Sequence, residues 1–439
     1  MIKFMLYLLI VGLFILDWLF LKHGIGIRQM TWLPEFISIL IAISLPFRTA
    51  IKKEGSVPIK YFFLLFLYLA HIGSGFLFND VTGWTMLSGL RIYTKFIPIF
   101  LVVIIFPLTE QEFKKIVLLV FVLAMVQFPV VLWQRFVSYA TSLSGDPMGG
   151  TLGHSASGVL SIFLLIILSF LVAFYFKEQI SLPKFLIALA LAFIPTTLNE
   201  TKITFLLLPV AFVFSAFFIK AKRQTIFRVM LVLCVFVVSF FVFRGIYNYY
   251  YNLRYGYSIE TFLAMPGRVQ RYNSTRIDPM KYAFVYGMKD FRFVVFGHGA
   301  GNVSEGFTRK LNGKYVQEGI YYGVGDVSFT KMIWELGLLG TILFFLFPFF
   351  VFLDSASMSR KPGFEGAFSL GMVNFAVFFF LSMFYTFTMD SNLLIYLFFL
   401  TAGYIVHRRH VEVDNPDNIV QFEQANEHYM EKMASVKSY

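Results

Sequence analysis

Charge is what this sequence is short of. Asp, Glu, Lys and Arg make up 14% of its 439 residues, against about 25% in soluble globular domains. That shortage argues against a soluble class. Cysteine is nearly missing too: the single Cys234 lies inside an apolar run, which rules out an intrachain disulfide and says nothing about redox compartment. The seven histidines are scattered, none at metal-ligand spacing with a Cys or carboxylate partner, so no metal site is expected. There is no Gly-x-Ser-x-Gly run of a serine hydrolase and no Gly-Lys-Ser/Thr ending of a P-loop. No cofactor is expected, and no internal repeat is evident.

Apolar residues fill the space instead, 58% hydrophobic and 19% aromatic. This composition predicts an all-α integral membrane protein. A spanning helix needs about 20 apolar residues, and twelve runs qualify: roughly 4–21, 32–47, 61–78, 89–107, 113–134, 153–176, 184–198, 202–219, 226–243, 328–353, 367–386 and 389–406. The expected organisation is about nine spans in 1–243, a large, partly helical loop over 244–326, three spans in 327–406 and a polar tail over 407–439. The first run begins after Lys3 and shows no small-residue cleavage site, so it reads as a retained span. A net charge of +12 would suggest nucleic acid in a soluble protein; here the basic residues cluster between apolar runs, and no nucleic-acid partner is expected. Lys52, Lys60, Lys114, Lys177, Lys222, Arg360 and Arg408 fall in alternate loops, which puts the termini in the cytoplasm and the long loop outside.

The long loop holds the candidate chemistry. Arg268, Arg271 and Arg276 recur close to one helical face, among tyrosines. Guanidinium groups bind phosphate bidentately and aromatic faces suit sugar rings; a solvated basic face, or contact with anionic lipid headgroups, is the plainer alternative. Arg91 and Lys202 sit near the outer ends of spans, as anion ligands or as snorkelling anchors. Gly297-His-Gly-Ala-Gly301 reads as a tight turn or a close backbone approach, with His298 either structural or a proton carrier. Asp326 precedes the tenth span as a helix cap or as a general base for a sugar hydroxyl. Lys331 and Glu335, four apart, could pair. His154 lies in the small-residue run Gly150-Thr-Leu-Gly-His-Ser-Ala-Ser-Gly158, which suits close helix packing or a substrate crevice.

In this order these motifs resemble the bacterial O-antigen polymerase/ligase superfamily of membrane glycosyltransferases. The Gly150 run resembles the family's Gly-Thr-Phe-Gly-Asn-Pro-Asn, and Glu200-Thr-Lys202 its Ser-Arg opening, with lysine for arginine. Ser274-Thr-Arg276 followed by Phe296-Gly-His-Gly-Ala-Gly resembles Ser-Arg and then Gly-Val-Gly-Pro-Gly. Asp326, eleven residues before Gly337, resembles the loop's end, where ligases usually have His followed by Asn; Asp326-Val327 leans toward a polymerase. The resemblance implies a metal-independent, inverting transfer of glycan from undecaprenyl pyrophosphate to a lipid-linked acceptor sugar, at the periplasmic face of the inner membrane. It implies that Arg276, Lys202 and Arg91 contact the donor diphosphate and that Asp326 orients or deprotonates the acceptor. A chain-length regulator and a flippase of the same pathway would be its partners. A ligase with another acceptor is the sister reading. A flippase or transporter is the rival from a different class, against which the mid-span ionisable residues are few, Asp17 and Glu35.

Overall fold

The computed structural model describes residues 2–17, 32–49, 56–79, 81–106, 108–140, 147–154, 156–199, 202–218, 227–231, scattered positions over 233–248, 268–269, 274–275, 277–304, 312–317 and 324–414. Among the described residues the elements are helical apart from one short antiparallel pairing, β1 (Arg268–Val269) with β2 (Ser274–Thr275). The helices before it are α1 (Ile2–Asp17), α2 (Leu33–Thr49), α3 (Ile59–Phe78), α4 (Gly83–Thr94), α5 (Ile97–Ile105), α6 (Glu110–Trp133, prolonged by a π turn, Gln134–Ser138), α7 (Ser157–Phe176), α8 (Leu182–Leu198) and α9 (Lys202–Phe217). After it come the short α10 (Ile277–Gly287), α11 (Phe291–Phe296) and α12 (Lys314–Gln317), then α13 (Ser328–Met358), α14 (Gly363–Ser382) and α15 (Asn392–Asp414).

Among the described residues five helices are long and apolar enough to cross a membrane, α3, α6 with its π turn, α7, α13 and α14; the bent pair α4/α5, counted as one span, makes a sixth. Several of the other expected spans are present as shorter apolar helices, α1, α2, α8 and part of α9. Half of the run at 226–243 lies outside the described residues. The expected span at 89–107 falls on α4 and α5, which meet at 41° around Lys95 and Phe96. A charged residue placed mid-run, followed by Pro98 near the start of α5, accounts for the break.

Burial sorts the helices. α7 is apolar on every side and wholly buried over its span, so it is the axis of the bundle. α6 exposes Leu118, Val122 and Val126, the pattern of a lipid-facing helix. Its start is fixed by a capping box, in which the Thr109 side chain accepts from Glu112 N and the Glu112 carboxylate from Thr109 N. Phenylalanines fill the rest: Phe96 stacks on Phe399 at 3.8 Å and Phe379 on Phe398 at 4.1 Å, locking α5 and α14 to α15.

Contacts at the helix ends fix how the chain threads. At one end Lys3 pairs with Glu112, Lys60 with Asp354 at 2.6 Å, Arg408 with Glu365, and Lys177 donates to Lys361 O. At the other, Arg91 pairs with Glu35, Lys331 with Asp390, and Ser328 N donates to Thr386 O. Successive long helices therefore alternate in direction, with basic and acidic residues crowding the first end.

α13 is broken at Gly337, whose φ of 69° and ψ of −176° are non-helical. The break withdraws helical donors from the carbonyls of Trp334, Glu335 and Leu336, and a buried carbonyl without a donor costs roughly 1–3 kcal/mol. All three find donors elsewhere: His298 N to Trp334 O at 2.7 Å, Gly299 N to Glu335 O at 3.0 Å, and the His71 ring Nε2 with Leu336 O at 2.8 Å. The Gly297-His-Gly turn is thus pressed into the notch of α13, in keeping with the close approach its glycines suggest. A methyl group on Gly337 would stand 2.5 Å from Val295 O and 2.6 Å from Gly297 N.

Gly337→Ala should therefore lower stability by several kcal/mol, combining about 1–3 from left-handed backbone strain and about 1–3 from overpacking. Gly73→Ala, in a helix with open space around it, should leave it unchanged or raised. Thermal unfolding of the detergent-purified protein decides this, and equal midpoints for the two variants would contradict the notch.

Candidate functional site

Two glutamines on one face of α6 hold the turn that enters the site. Gln134 accepts from Gly150 N at 2.9 Å and donates to Gly150 O at 2.8 Å; Gln127 accepts from Thr151 N and donates to Thr151 Oγ1, both at 2.9 Å. Seven residues apart, they face the same way and satisfy a turn that would otherwise leave buried backbone groups unpaired. The turn delivers Leu152, His154 and Ala156 to a cavity of about 400 Å³, within the roughly 300–1,000 Å³ of small-molecule sites. Its other walls are Leu13 and Leu16 of α1, Trp32, Glu35 at the start of α2, Arg91 of α4, and the α14–α15 connection with Asp390, Ser391 and Asn392.

Around this cavity the ionisable side chains are paired. Arg91 Nη1 donates to Glu35 Oε2 at 3.2 Å, and its guanidinium lies 4.8 Å from the Trp32 ring centre. Lys331 Nζ donates to Asp390 Oδ1 at 2.7 Å. Lys95, at the α4/α5 break, donates to Asn392 Oδ1 at 2.7 Å and to Asp390 O at 3.2 Å. Lys95 and Lys331 are buried and stand behind the wall. Glu35, Asp390, Arg91 and Lys331 are all close enough to Lys95 to act on its charge, so the five form one electrostatic unit.

Of the residues expected from sequence, Arg91 from α4 and His154 from the turn before α7 line this cavity together. Asp326 ends a 3₁₀ turn, Val324–Asp326, two residues before Ser328, whose hydroxyl accepts from Met389 N beside Asp390. The end of the long loop is thereby tied to the cavity's rim. His298 is not in the lining: its ring stacks between Phe293 at 4.0 Å and Trp334 at 4.7 Å, and its Nδ1 meets Tyr315 Oη at 2.9 Å. Burial, with the charges of Arg292 and Lys314, holds its pKa down at about 4 against a backbone interaction with Gly287. Arg268 pairs across β1/β2 with Thr275, the residue before Arg276; its side chain, that of Lys202 at the head of α9, and all of Arg271 and Arg276 lie outside the described residues.

One expectation is corrected outright. Lys331 does not turn to Glu335, four residues on, but to Asp390 in the α14–α15 connection. Glu335 instead accepts from Val303 N at 2.8 Å and Ser304 Oγ at 2.9 Å, clamping the loop. As site residues, Glu35, Lys95, Lys331, Asp390 and Asn392 escaped the sequence reading. Their signal was available: each is polar within or beside an apolar run, where desolvation makes an unpaired group costly. Among the described residues no cluster of three or more His, Cys, Asp or Glu is arranged for a metal ion. Neither a protein-family model nor a curated protein matches the sequence.

Two outcomes follow. Asp390→Asn should cost roughly 3–5 kcal/mol by stranding the buried Lys331 charge, and Lys331→Met in the same chain should restore much of it; additive losses in a double-mutant cycle of thermal stability would refute the pairing. The folded-state pKa of His298 lies below its ordinary 6.5, so the unfolded chain binds more protons between those values. His298 then costs no stability above pH 6.5 and progressively more as pH falls toward 4. His298→Phe should flatten the stability slope in that window, and an unchanged slope would refute it.

Proposed function

We propose that this chain is a membrane glycosyltransferase that moves glycan from a lipid-linked diphosphate donor to a sugar hydroxyl, and that it works as a repeat-unit polymerase. The observation that carries the reading is the convergence of Arg91 and His154 with Glu35, Asp390 and Asn392 on one cavity, at the end of the bundle where the long loop rejoins it. The motif order and the Asp326-Val327 departure from the ligase pattern add to it. In this reading the termini and the ion-paired helix ends face the cytoplasm of a bacterial inner membrane. The cavity and the 244–326 loop face the periplasm, and twelve spans carry them.

The reaction asked of the site is an inverting displacement. The acceptor hydroxyl oxygen bonds to the donor's anomeric carbon as the bond from that carbon to the diphosphate breaks. The hydroxyl proton passes to a carboxylate, for which Asp326 is the candidate, and the diphosphate departs with the lipid carrier. Charge developing on it needs fixed cations, each worth about 3 kcal/mol in a water-poor site; Arg276, Arg271, Arg268 and Lys202 are the residues proposed for that role. Undecaprenyl-pyrophosphate-linked oligosaccharide is the proposed substrate, with a chain-length regulator and a flippase as pathway partners.

A second reading has its own observation. α4 and α5 form a discontinuous pair with the buried Lys95 at the break, and discontinuous helices form the substrate sites of many transporters. A lipid-linked oligosaccharide flippase is therefore the alternative.

Deletion of the gene followed by analysis of surface and lipid-linked glycan separates them. Single-repeat glycan accumulating on outward-facing lipid is the expected result. Unattached long polymer would make the protein a ligase, and loss of all outward-facing lipid-linked repeat would make it a flippase.

A further inference from the structure

The cavity is poor as a diphosphate pocket. Its lining carries one guanidinium, Arg91, already committed to Glu35 and lying over Trp32, and two carboxylates, Glu35 and Asp390. Besides His154 in the lining, the remaining positive charge would have to come from Lys95 and Lys331, which stand behind the wall with their ammonium groups on Asn392, Asp390 O and Asp390 Oδ1. A diphosphate offers acceptors only, and the cations nearest the cavity are already committed to Glu35, Asp390 and Asn392. A sugar hydroxyl both donates and accepts, and the wall offers both. Among the described residues the second oxygens of Glu35 and Asp390 carry no hydrogen bond. Asn392, whose Oδ1 is held by Lys95, keeps its amide donors, and the Ser391 hydroxyl stands beside it.

We infer that this cavity is the acceptor half of the active site: it binds uncharged sugar rings through the carboxylates of Glu35 and Asp390 and excludes the donor's diphosphate. The inference rests on the transferase reading and divides it, giving donor and acceptor separate seats. The Arg91–Glu35 and Lys331–Asp390 pairs then act to hold the two carboxylates in place. Leu16, half-buried on the cavity wall, is the side chain through which the space can be filled with least disturbance of the bundle.

The test uses the full-length protein in lipid nanodiscs. Methyl glycosides of neutral hexoses and of N-acetylhexosamines are compared with inorganic pyrophosphate as protectants against thermal unfolding. At least one neutral glycoside should protect the wild type, and pyrophosphate should not do so through this cavity. Leu16→Trp should abolish that protection, and Glu35→Gln, which keeps the side chain's shape, should weaken sugar binding about tenfold or more, as expected for the loss of a charged hydrogen bond. In a transfer assay both variants should raise KM for the acceptor and leave KM for the lipid diphosphate donor unchanged. Pyrophosphate protection that disappears in Leu16→Trp, a raised donor KM, or no protection by any neutral glycoside would each overturn the inference. Sugar protection in a protein that transfers no glycan would leave the sugar site standing and remove the transferase reading, so the two failures are distinct.

Discussion

Charge inside an apolar bundle has to be matched, and that constraint organises the functional end of this protein. Lys331 and Lys95 are almost wholly buried, and an isolated ammonium at such a depth would shed its proton or unfold its surroundings. Asp390 and Asn392 are therefore drawn to them, although 59 and 297 residues separate the partners. Holding those acceptors fixes the α14–α15 connection, and the same connection forms a wall of the cavity. Arg91 and Glu35 do the equivalent between α4 and α2. The pairing that keeps the charges soluble in the bundle also sets the shape of the site.

The notch in α13 does comparable work for the backbone. Three carbonyls released at Gly337 are taken up by the Gly297-His-Gly turn and by His71, and Glu335 reaches out to Val303 and Ser304. The late part of the long loop is thereby bound to the bundle through main-chain geometry and not through apolar burial alone. Ser328, at the head of the same helix, holds Met389 next to Asp390. One helix thus meets the late loop at its notch and the cavity rim at its head.

Much of the helical framework was legible in the sequence, because runs of apolar residues long enough to cross a bilayer leave few alternatives. α8 lies almost where hydropathy puts it, and α7 falls within the run expected at 153–176. The α4/α5 break was not legible, since Lys95 inside an apolar run looks like a defect of a span until Asn392 is found opposite it. The glycines near His298 signalled close approach without saying to what. Lys331 and Glu335 show the limit of local spacing: the four-residue rule gave them to each other, and stronger tertiary partners took both. Arg91 and His154 could be nominated from sequence, but their neighbours Glu35 and Asp390 become site residues only once distant helices are packed.

The most direct measurement is an experimental structure of the full-length protein in lipid nanodiscs, loaded with lipid-linked oligosaccharide isolated from a strain lacking it. The account predicts sugar rings in the cavity within hydrogen-bonding distance of Glu35 and Asp390, with the diphosphate outside it. A diphosphate seated against Arg91 with the Glu35 pair broken, or a cavity left empty while the glycan lies elsewhere, would contradict it.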